Sequence, residues 1–193
     1  MKISCAILAG GKNSRYGGLN KAFIPIDGIK IIDRNIQILK PIFQDILIVT
    51  NTPNQYADYD EFPMSSDYYH EIGPLAGIHS ALRNAHADAV FITSCDMPFL
   101  DSELINRMLS LSLKGDFQAI IPRWDGKIEP LHAVYHCSLL TVLEEFIEKK
   151  VDRSVRGFIK SIDCIYLDLQ GSAVLKAFTN INRPDDLKSL NLI

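Results

Sequence analysis

The first 21 residues constrain the fold more than any other part of the chain. An unbroken apolar run, Ile3 to Ala9, has the length and the β-branched content of a strand that is buried on both faces. It leads directly into the glycine-rich segment GGKNSRYGG, which begins at Gly10. Glycines allow a sharp turn and let a ligand approach backbone N–H groups closely. The pattern therefore predicts a parallel sheet whose first strand ends in a ligand-binding loop.

Three cations, Lys12, Arg15 and Lys21, are interleaved with the glycines of this loop, and no acidic residue occurs before Asp27. Ammonium and guanidinium groups bind phosphate oxygens through charge-assisted hydrogen bonds, so the loop is typical of a polyphosphate site. The glycine spacing matches neither the dinucleotide motif G-x-G-x-x-G nor the P-loop motif G-x-x-x-x-G-K-[ST]. The alternative interpretation is a flexible surface loop with incidental basic residues.

Bulk properties exclude several classes of protein. A chain of 193 residues forms one large or two small domains. It shows no signal-peptide pattern, and no apolar run approaches the roughly 20 residues that cross a bilayer. The net charge of −3 argues against a nucleic-acid binder. Scattered cysteines without C-x-x-C spacing indicate neither a zinc site nor a disulfide framework. We expect a cytoplasmic protein that binds neither nucleic acid nor a membrane.

Charge is distributed unevenly along the chain. Residues 1–40 contain seven Lys and Arg against two Asp, a balance of +5, which leaves −8 for the remainder. A basic segment on an acidic body is better suited to focusing a small anionic ligand than to holding a long polymer.

Segments with strand and helix patterns alternate along the first hundred residues. Strands are predicted at Ile3–Ala9, 45–50, 61–66 and 87–94, a short extended piece at 22–26, and helices at 29–39, from Pro53 and from Gly73. Later segments predict helices at 101–112, 138–149, 154–162 and from Arg183, with strands at 117–122, 128–135 and 164–169 and an extended piece at 178–181. Ser138 is the predicted cap of the helix at 138–149.

Alternation of this kind requires right-handed crossovers between parallel strands. The predicted fold class is therefore α/β, a single three-layer domain over residues 1–193 with a mostly parallel central sheet and helices on both faces. In such sheets ligands bind outside the carboxyl ends of the strands. Four loops are then expected to converge at one edge, at Gly10–Lys21, Asn51, Asp67–Gly77 and Asp96.

Asp96 is the strongest carboxylate candidate because an apolar strand ends immediately before it. Magnesium takes only one or two protein carboxylates and completes its coordination with water and substrate phosphates. The alternative is that Asp96 caps the helix beginning near Asp101 or only ends a strand, but Pro98 argues against capping. Asn51 and Asp67 could each be turn residues, and their candidacy depends on loop position.

Other catalytic patterns are missing from the sequence. Its five histidines form no H-E-x-x-H or similar ligand pair, and no G-x-S-x-G nucleophile elbow occurs. A polyphosphate loop with one metal-binding carboxylate favours attack at phosphorus, catalysed by positioning and charge neutralisation.

Taken together, these residues resemble the molybdenum cofactor guanylyltransferase family, also called molybdopterin-guanine dinucleotide biosynthesis protein A. The family opening L-A-G-G-x-x-x-R-M-G-G-x-D-K is similar to Leu8–Lys21. The family motifs G-P-L-A-G, C-D-x-P and N-x-N-x-P are found at Gly73–Gly77, Cys95–Pro98 and Asn180–Pro184. The order and spacing extend over nearly the whole chain, and the resemblance implies a Rossmann-like nucleotidyltransferase fold.

The resemblance implies transfer of GMP from GTP to the phosphate of molybdopterin bearing molybdenum, with magnesium as cofactor and release of pyrophosphate. It also implies transient contact with molybdoenzymes or cofactor chaperones, a nucleotide-binding half at 1–100 and a cofactor-binding half at 101–193. The residues it assigns are Arg15, Lys21 and Asp96 for catalysis, with Asp96 on the metal; Leu8, Ala9, Gly10, Gly11, Lys21, Asn51, Asp67, Gly73, Pro74, Leu75 and Asp96 for the nucleotide; and Glu129, Pro130, Arg153, Arg156, Asn180 and Asn182 for the cofactor substrate.

Three positions depart from the family pattern. Tyr16 replaces a Met, Asn20 replaces the Asp before Lys21, and Asp67 lies one residue closer to Gly73. Among enzymes, the alternatives are a cytidylyltransferase relative, whose usual L-A-A-G is contradicted by Gly10, and a sugar-phosphate nucleotidyltransferase. An alternative of another class is a carrier that binds nucleotide or cofactor without turnover.

Overall fold

A central sheet organises the residues that the structure, a computed structural model, describes, namely 1–10, 20–149, 152–171, 176–181 and 186. Its strands are β1 (Ile3–Leu8), β4 (Ile46–Val49), β5 (Met64–Ser65), β6 (Ala89–Ser94), β7 (Ala119–Trp124), β8 (Lys127–Ile128), β9 (His132–His136) and β10 (Cys164–Asp168), while β2 (Pro25–Ile26) and β3 (Ile29–Lys30) form a separate pair. The α-helices are α1 (Ile31–Leu39), α2 (Pro74–Asn84), α3 (Ser102–Ser112), α4 (Leu139–Glu148) and α5 (Val155–Lys160), and 3-10 helices occupy Lys21–Phe23 and Pro53–Tyr59.

The strand order across the sheet is β10–β7–β9–β6–β1–β4–β5, with β8 paired to β7. The first strand, β1, lies near the middle and runs parallel to both neighbours, β4 and β6. Strand β9 runs antiparallel to β6 and to β7, and β10 returns parallel to β7. The prediction of a mostly parallel α/β sheet is confirmed.

Alternate residues of each central strand face opposite layers, as a pleated strand requires. From β1, Cys5 and Ile7 pack into a core that also includes residues of α1 and α3. Ala6 and Leu8 pack into a second core, together with residues of α2, α4 and α5. Both faces are buried, which explains why β1 is a continuous apolar run. The predicted three layers, with helices on both faces, are confirmed.

Several elements differ from their predicted form. Residues 21–23 form a 3-10 helix rather than an extended segment, because the Asn20 side chain accepts a hydrogen bond from the backbone N–H of Ala22. Asp27 and Gly28 have φ of 51° and 79°, which makes a tight two-residue turn. That turn pairs Ile29 and Lys30 back onto β2, so α1 begins only at Ile31.

Three further differences concern shorter stretches. The segment 61–66 contributes only Met64–Ser65 to the sheet, and the predicted strand at 128–135 is divided into β8 and β9. Ser138 does not cap α4 with its side chain, because its hydroxyl is hydrogen-bonded to the Nδ1 atom of His136 at 2.8 Å. Of the helix predicted from Arg183, all residues except 186 lie outside the described part of the chain. Among those that are described, no helix is long and apolar enough to cross a membrane.

Candidate active site at the carboxyl edge of the sheet

A cavity of about 750 Å³ opens where β1, β4, β5 and β6 end. Its volume is in the range of small-molecule and cofactor sites. The predicted convergence is confirmed for the described loop residues, and one wall residue, Leu131, comes from the later half of the chain. The lining residues are Leu8, Ala9, Gly10, Val49, Asn51, Thr52, Asp67, Glu71, Gly73, Pro74, Ala76, Gly77, Ser94, Asp96 and Leu131.

Asn51 and Asp67 form a reciprocal pair on one wall of the cavity. The Nδ2 atom of Asn51 donates to Oδ2 of Asp67 at 2.7 Å, and the backbone N–H of Asp67 donates to Oδ1 of Asn51 at 2.9 Å. Parallel pairing of β4 with β5 brings the two residues together, since each lies two residues beyond its strand. The pair fixes a carboxylate that faces the space beside Gly10.

Gly10 lies directly against this pair. A Cβ atom at Gly10 would be 3.8 Å from Nδ2 of Asn51 and 3.9 Å from Oδ2 of Asp67, which is ordinary van der Waals contact. A methyl group is therefore sterically tolerated there, but it would occupy space between the end of β1 and the carboxylate. The glycine widens the cavity at the Asn51–Asp67 wall.

Asp96 lies on the opposite wall in contact with Ser94 and Lys21. Its Oδ1 accepts a hydrogen bond from the Ser94 hydroxyl at 2.6 Å, and its Oδ2 lies 3.2 Å from Nζ of Lys21. The Lys21 and Asp96 side chains are only 20% and 16% exposed, so water screens their attraction less than at an open surface. Asp101, not Asp96, caps α3, by accepting from Glu103 and Leu104 backbone N–H groups.

The third wall is the start of α2. Gly73 has φ of 61° and ψ of −143°, a conformation that favours glycine, and Pro74 occupies the first turn of the helix. A Cβ at Gly77 would come within 3.1 Å of Cδ1 of Leu8, so this glycine allows α2 to approach β1 closely. Leu75 is fully buried in the core and does not line the cavity with the other predicted residues.

On the side of β9, Glu129 approaches Asp96. The N–H of Ser94 donates to the carbonyl of Leu131 at 3.1 Å, so the antiparallel course of β6 and β9 continues toward these two carboxyl groups. The pKa of Glu129 is raised to about 7, chiefly by burial and to a lesser extent by the charge of Asp96. A backbone hydrogen bond from Leu131 and the charge of Arg156 lower the pKa and offset part of that effect.

The remaining residues predicted for the cofactor substrate are only partly gathered. The carbonyl of Pro130 accepts from the Tyr135 hydroxyl at 2.8 Å, which fixes the turn after Glu129. Arg153 and Arg156 are exposed near and on α5. Asn180 is partly exposed, and its backbone lies near Asp96 because the N–H of its neighbour Ile181 donates to the Asp96 carbonyl at 2.9 Å.

Three predicted residues, Gly11, Arg15 and Asn182, lie outside the described part of the chain. Sequence reasoning missed Ser94, which is the last residue of a predicted strand and could have been found as the residue two before Asp96. It also missed Glu71, whose φ of 65° is unusual for a non-glycine residue. Nothing in its local sequence indicates that conformation.

The donor set fits magnesium better than a transition metal. Within the described residues, no group of three or more His, Cys, Asp and Glu side chains could hold a metal. Magnesium needs only one or two carboxylates when substrate phosphates and water supply its other ligands. Asp96, which is partly buried beside Ser94 and close to Glu129, provides that kind of site.

Comparisons with known proteins agree with this geometry. The family model described as the MobA-like NTP transferase domain matches residues 5–165. A protein of Carboxydothermus hydrogenoformans named "Probable molybdenum cofactor guanylyltransferase" is 38% identical, over 97% of this chain and 94% of its own length. A protein of Syntrophotalea carbinolica named "Molybdenum cofactor guanylyltransferase" is 31% identical, over 97% of this chain and 90% of its own.

The chain belongs to the molybdenum cofactor guanylyltransferase family. Its fold also matches the crystal structure of molybdopterin-guanine dinucleotide biosynthesis protein A from Archaeoglobus fulgidus, with a TM-score of 0.80, 30% identity and coverage of 98% of this chain and 96% of that one. Membership of the guanylyltransferase family makes this chain a nucleotidyltransferase, and it confirms the enzyme class that the resemblance implied.

Proposed function

We propose that the enzyme transfers GMP from GTP to the phosphate of molybdenum-molybdopterin, forming molybdopterin guanine dinucleotide and releasing pyrophosphate. The observation that carries this proposal is the pairing of two carboxylate sites across one cavity. Asp67, held by Asn51, faces Gly10 on one wall, and Asp96, held by Ser94 and Lys21, lies on the other. One wall can recognise a base and the other can stabilise a reacting phosphate.

The base-recognition wall favours guanine on chemical grounds. The Watson–Crick edge of guanine presents two adjacent N–H donors, at N1 and at the 2-amino group, and a fixed carboxylate is the natural acceptor for both. Cytosine presents an acceptor at N3 beside its single amino donor, so an Asp67 carboxylate would repel part of its edge. The absence of a Cβ at Gly10 leaves room for the larger purine beside this wall.

The reaction is in-line displacement at the α-phosphorus of GTP. A phosphate oxygen of the acceptor forms a bond to that phosphorus, the bond from phosphorus to the bridging oxygen breaks, and pyrophosphate leaves with the bridging electrons. Lys21, and Arg15 in the glycine-rich loop, are proposed to neutralise charge that develops on the phosphates. Asp96 would hold magnesium, which would supply positive charge at the reacting phosphate.

The cofactor substrate is proposed to enter from the side of β9 and α5. The residues proposed to hold the nucleotide belong to 1–100. Those proposed for the cofactor substrate all belong to 101–193, and they are Glu129, Pro130, Arg153, Arg156, Asn180 and Asn182. Because burial raises the pKa of Glu129 to about 7, this carboxyl group carries only part of a negative charge near neutral pH, which reduces its repulsion of an incoming phosphate. Arg156 adds a cation on the same side.

We place this activity in the cytoplasm, where GTP and magnesium are abundant, and the cysteines described by the structure are free thiols rather than disulfides. The dinucleotide product must then pass to a molybdoenzyme or a cofactor chaperone, through transient contact.

The test is a reaction of purified enzyme with molybdenum-molybdopterin, magnesium and each nucleoside triphosphate in turn, with chromatographic detection of the dinucleotide. We expect product with GTP and at least about tenfold less with CTP, since an unsatisfied polar contact at the base costs roughly 1–3 kcal/mol. Product with CTP and none with GTP would show that the enzyme is a cytidylyltransferase instead. Stoichiometric nucleotide binding with no product from any triphosphate would support a carrier.

A further inference from the structure

Asn20 occupies the position at which the family carries Asp, and its side chain is almost fully buried, 8% exposed. Its Oδ1 accepts a hydrogen bond from the backbone N–H of Ala22 at 3.1 Å, which caps the 3-10 helix Lys21–Phe23. Because a backbone N–H can only donate, this bond fixes which end of the amide is the oxygen. The cap therefore sets the orientation of the helix that carries Lys21.

The amide nitrogen of Asn20 faces two acceptors on the 3-10 helix Pro53–Tyr59. Its Nδ2 donates to Oε1 of Gln55 and to the hydroxyl of Tyr56, both at 2.9 Å. A carboxylate at this position would have no proton to donate to either group. The neutral amide of Asn20 thus accepts a hydrogen bond through Oδ1 and also donates hydrogen bonds through Nδ2.

Tyr56 connects this network to the glycine-rich strand end. Its ring is fully buried, and its hydroxyl can donate its one proton to the carbonyl oxygen of Ala9, 3.3 Å away, or to Oδ1 of Asn20, 3.2 Å away. Ala9 precedes Gly10 and lines the cavity. The hydroxyl therefore lies between the end of β1 and the residue immediately before Lys21, on the two sides of the glycine-rich loop.

We propose that Asn20, held by Tyr56, is a positioning residue that sets where the Lys21 ammonium group lies relative to Asp96 and to the phosphates of the nucleotide. The cap fixes the backbone at Lys21, and Lys21 Nζ then lies 3.2 Å from Asp96 Oδ2. The inference rests on the proposed role of Lys21 in binding polyphosphate. It adds that Lys21 depends on a buried hydroxyl from another element, which no motif in the loop indicates.

Tyr56→Phe tests this proposal, and Tyr59→Phe is its matched control. Both tyrosines belong to the same 3-10 helix and to one aromatic cluster with Phe23, at centroid distances of 4.9 and 6.2 Å. Each substitution removes one hydroxyl, but the Tyr59 hydroxyl donates to Asp33 of α1 at 2.7 Å and takes no part in the Asn20 network. A purely structural role predicts similar effects of the two substitutions.

The first readout is isothermal titration with magnesium tripolyphosphate, which needs neither a base nor turnover. We expect the dissociation constant to rise about fivefold in Tyr56→Phe and kcat to fall about tenfold, because small displacements of a positioned group are costly. Tyr59→Phe is expected to stay within about twofold of the wild type in both. Equal losses in the two variants, or an unchanged Tyr56→Phe, would overturn the proposal.

Two variants at position 20 provide a rescue test. Asn20→Ala removes the cap and should lower kcat about as much as the double variant Asn20→Ala/Tyr56→Phe, since both act through one network. Asn20→Asp loses both donations from Nδ2 but keeps the oxygen that accepts from Ala22 and from Tyr56, so kcat should fall less than in Asn20→Ala. Multiplicative losses in the double variant, or Asn20→Asp as damaging as Asn20→Ala, would contradict the network.

These measurements separate the positioning role from the proposed function. If the wild type used CTP instead of GTP, the guanine assignment would fail while the tripolyphosphate comparison would stand. If the wild type did not bind magnesium tripolyphosphate, the phosphate role of Lys21 and the positioning role of Asn20 would both be overturned.

Discussion

The two sides of the candidate site are built in different ways. On the side of β1, β4, β5 and β6, polar side chains at strand ends already hold each other, as in the Asn51–Asp67 pair and the Ser94–Asp96–Lys21 cluster. On the side of β9 and β7, the characteristic features are a partly buried carboxyl group, Glu129, and the stacked rings of Trp124 and Phe178, 4.4 Å apart.

This difference suggests a division of labour between the two sides. Preorganised hydrogen bonds suit a nucleotide, whose base and phosphates present fixed donors and acceptors. A partly desolvated wall with an acid that titrates near neutrality suits a second substrate whose own phosphate must approach against negative charge. The predictions below test that division, beginning with the largest expected effect.

Asp96→Ala is expected to lower kcat at least about a thousandfold, roughly 4 kcal/mol, because it removes the carboxylate proposed to hold magnesium at the reacting phosphate. Steady-state assays of dinucleotide formation measure the loss, and circular dichroism checks the fold. Asp101→Ala is the matched control, since the Asp101 carboxylate caps α3 and its loss should cost only about 1 kcal/mol of stability. Near-normal turnover by Asp96→Ala would refute the proposed site.

Glu129→Gln is expected to stabilise the magnesium-free and nucleotide-free protein in a pH-dependent way. The pKa of Glu129 is raised from 4.5 to about 7 in the folded protein, so between those values the unfolded chain loses a proton that the folded chain keeps. Stability of the wild type from this group therefore falls as pH rises through that window. Relative to the wild type, the free energy of unfolding of the variant should be higher by on the order of 2 kcal/mol at pH 8 and unchanged at pH 4.

Urea titrations at several pH values measure this difference, with Glu145→Gln, at an exposed position of α4, as the matched control. A gain that is equal at pH 4 and pH 8 would show that the Glu129 carboxyl group is not responsible.

Gly10→Ala is expected to lower kcat/KM for GTP about tenfold, roughly 1.4 kcal/mol, with little change in the melting temperature. The added methyl group makes ordinary contacts with Asn51 and Asp67, so it narrows the base wall without disrupting the fold. Gly115→Ala, at a position with open space around it, is the control for the substitution itself. A loss of stability comparable to the loss of activity would mean that Gly10 is needed for the backbone conformation rather than for binding the nucleotide base.

How far the sequence predicts the site depends on which side is considered. The nucleotide side follows from local patterns, since an apolar strand followed by glycine or a carboxylate places Gly10, Asn51, Asp67 and Asp96 at one sheet edge. Leu75 shows the limit of motif reasoning, because helical periodicity turns its side chain into the core. The approach of Glu129 to Asp96 depends on the register of β9 against β6, which local sequence does not specify.

Asn20 shows a related limit. As a departure from the family pattern it suggested only the loss of a carboxylate, whereas its amide bonds to Gln55 and Tyr56 on a different element. Those bonds join residues about 35 positions apart in the chain, a separation that no local motif describes. These hydrogen bonds of Asn20 can be identified only in the tertiary fold, which brings the 3-10 helices Lys21–Phe23 and Pro53–Tyr59 together.

The most direct test of the division is the dissociation constant of magnesium-GTP, measured calorimetrically for the wild type, Asp67→Asn and Arg156→Ala. Asp67→Asn removes a charged hydrogen-bond acceptor from the side that is proposed to bind the nucleotide. Arg156→Ala removes a cation from the side that is proposed to bind the cofactor substrate. We predict that Asp67→Asn weakens binding about tenfold, whereas Arg156→Ala stays within about twofold of the wild type. Equal weakening in both variants, or loss in Arg156→Ala alone, would contradict the division.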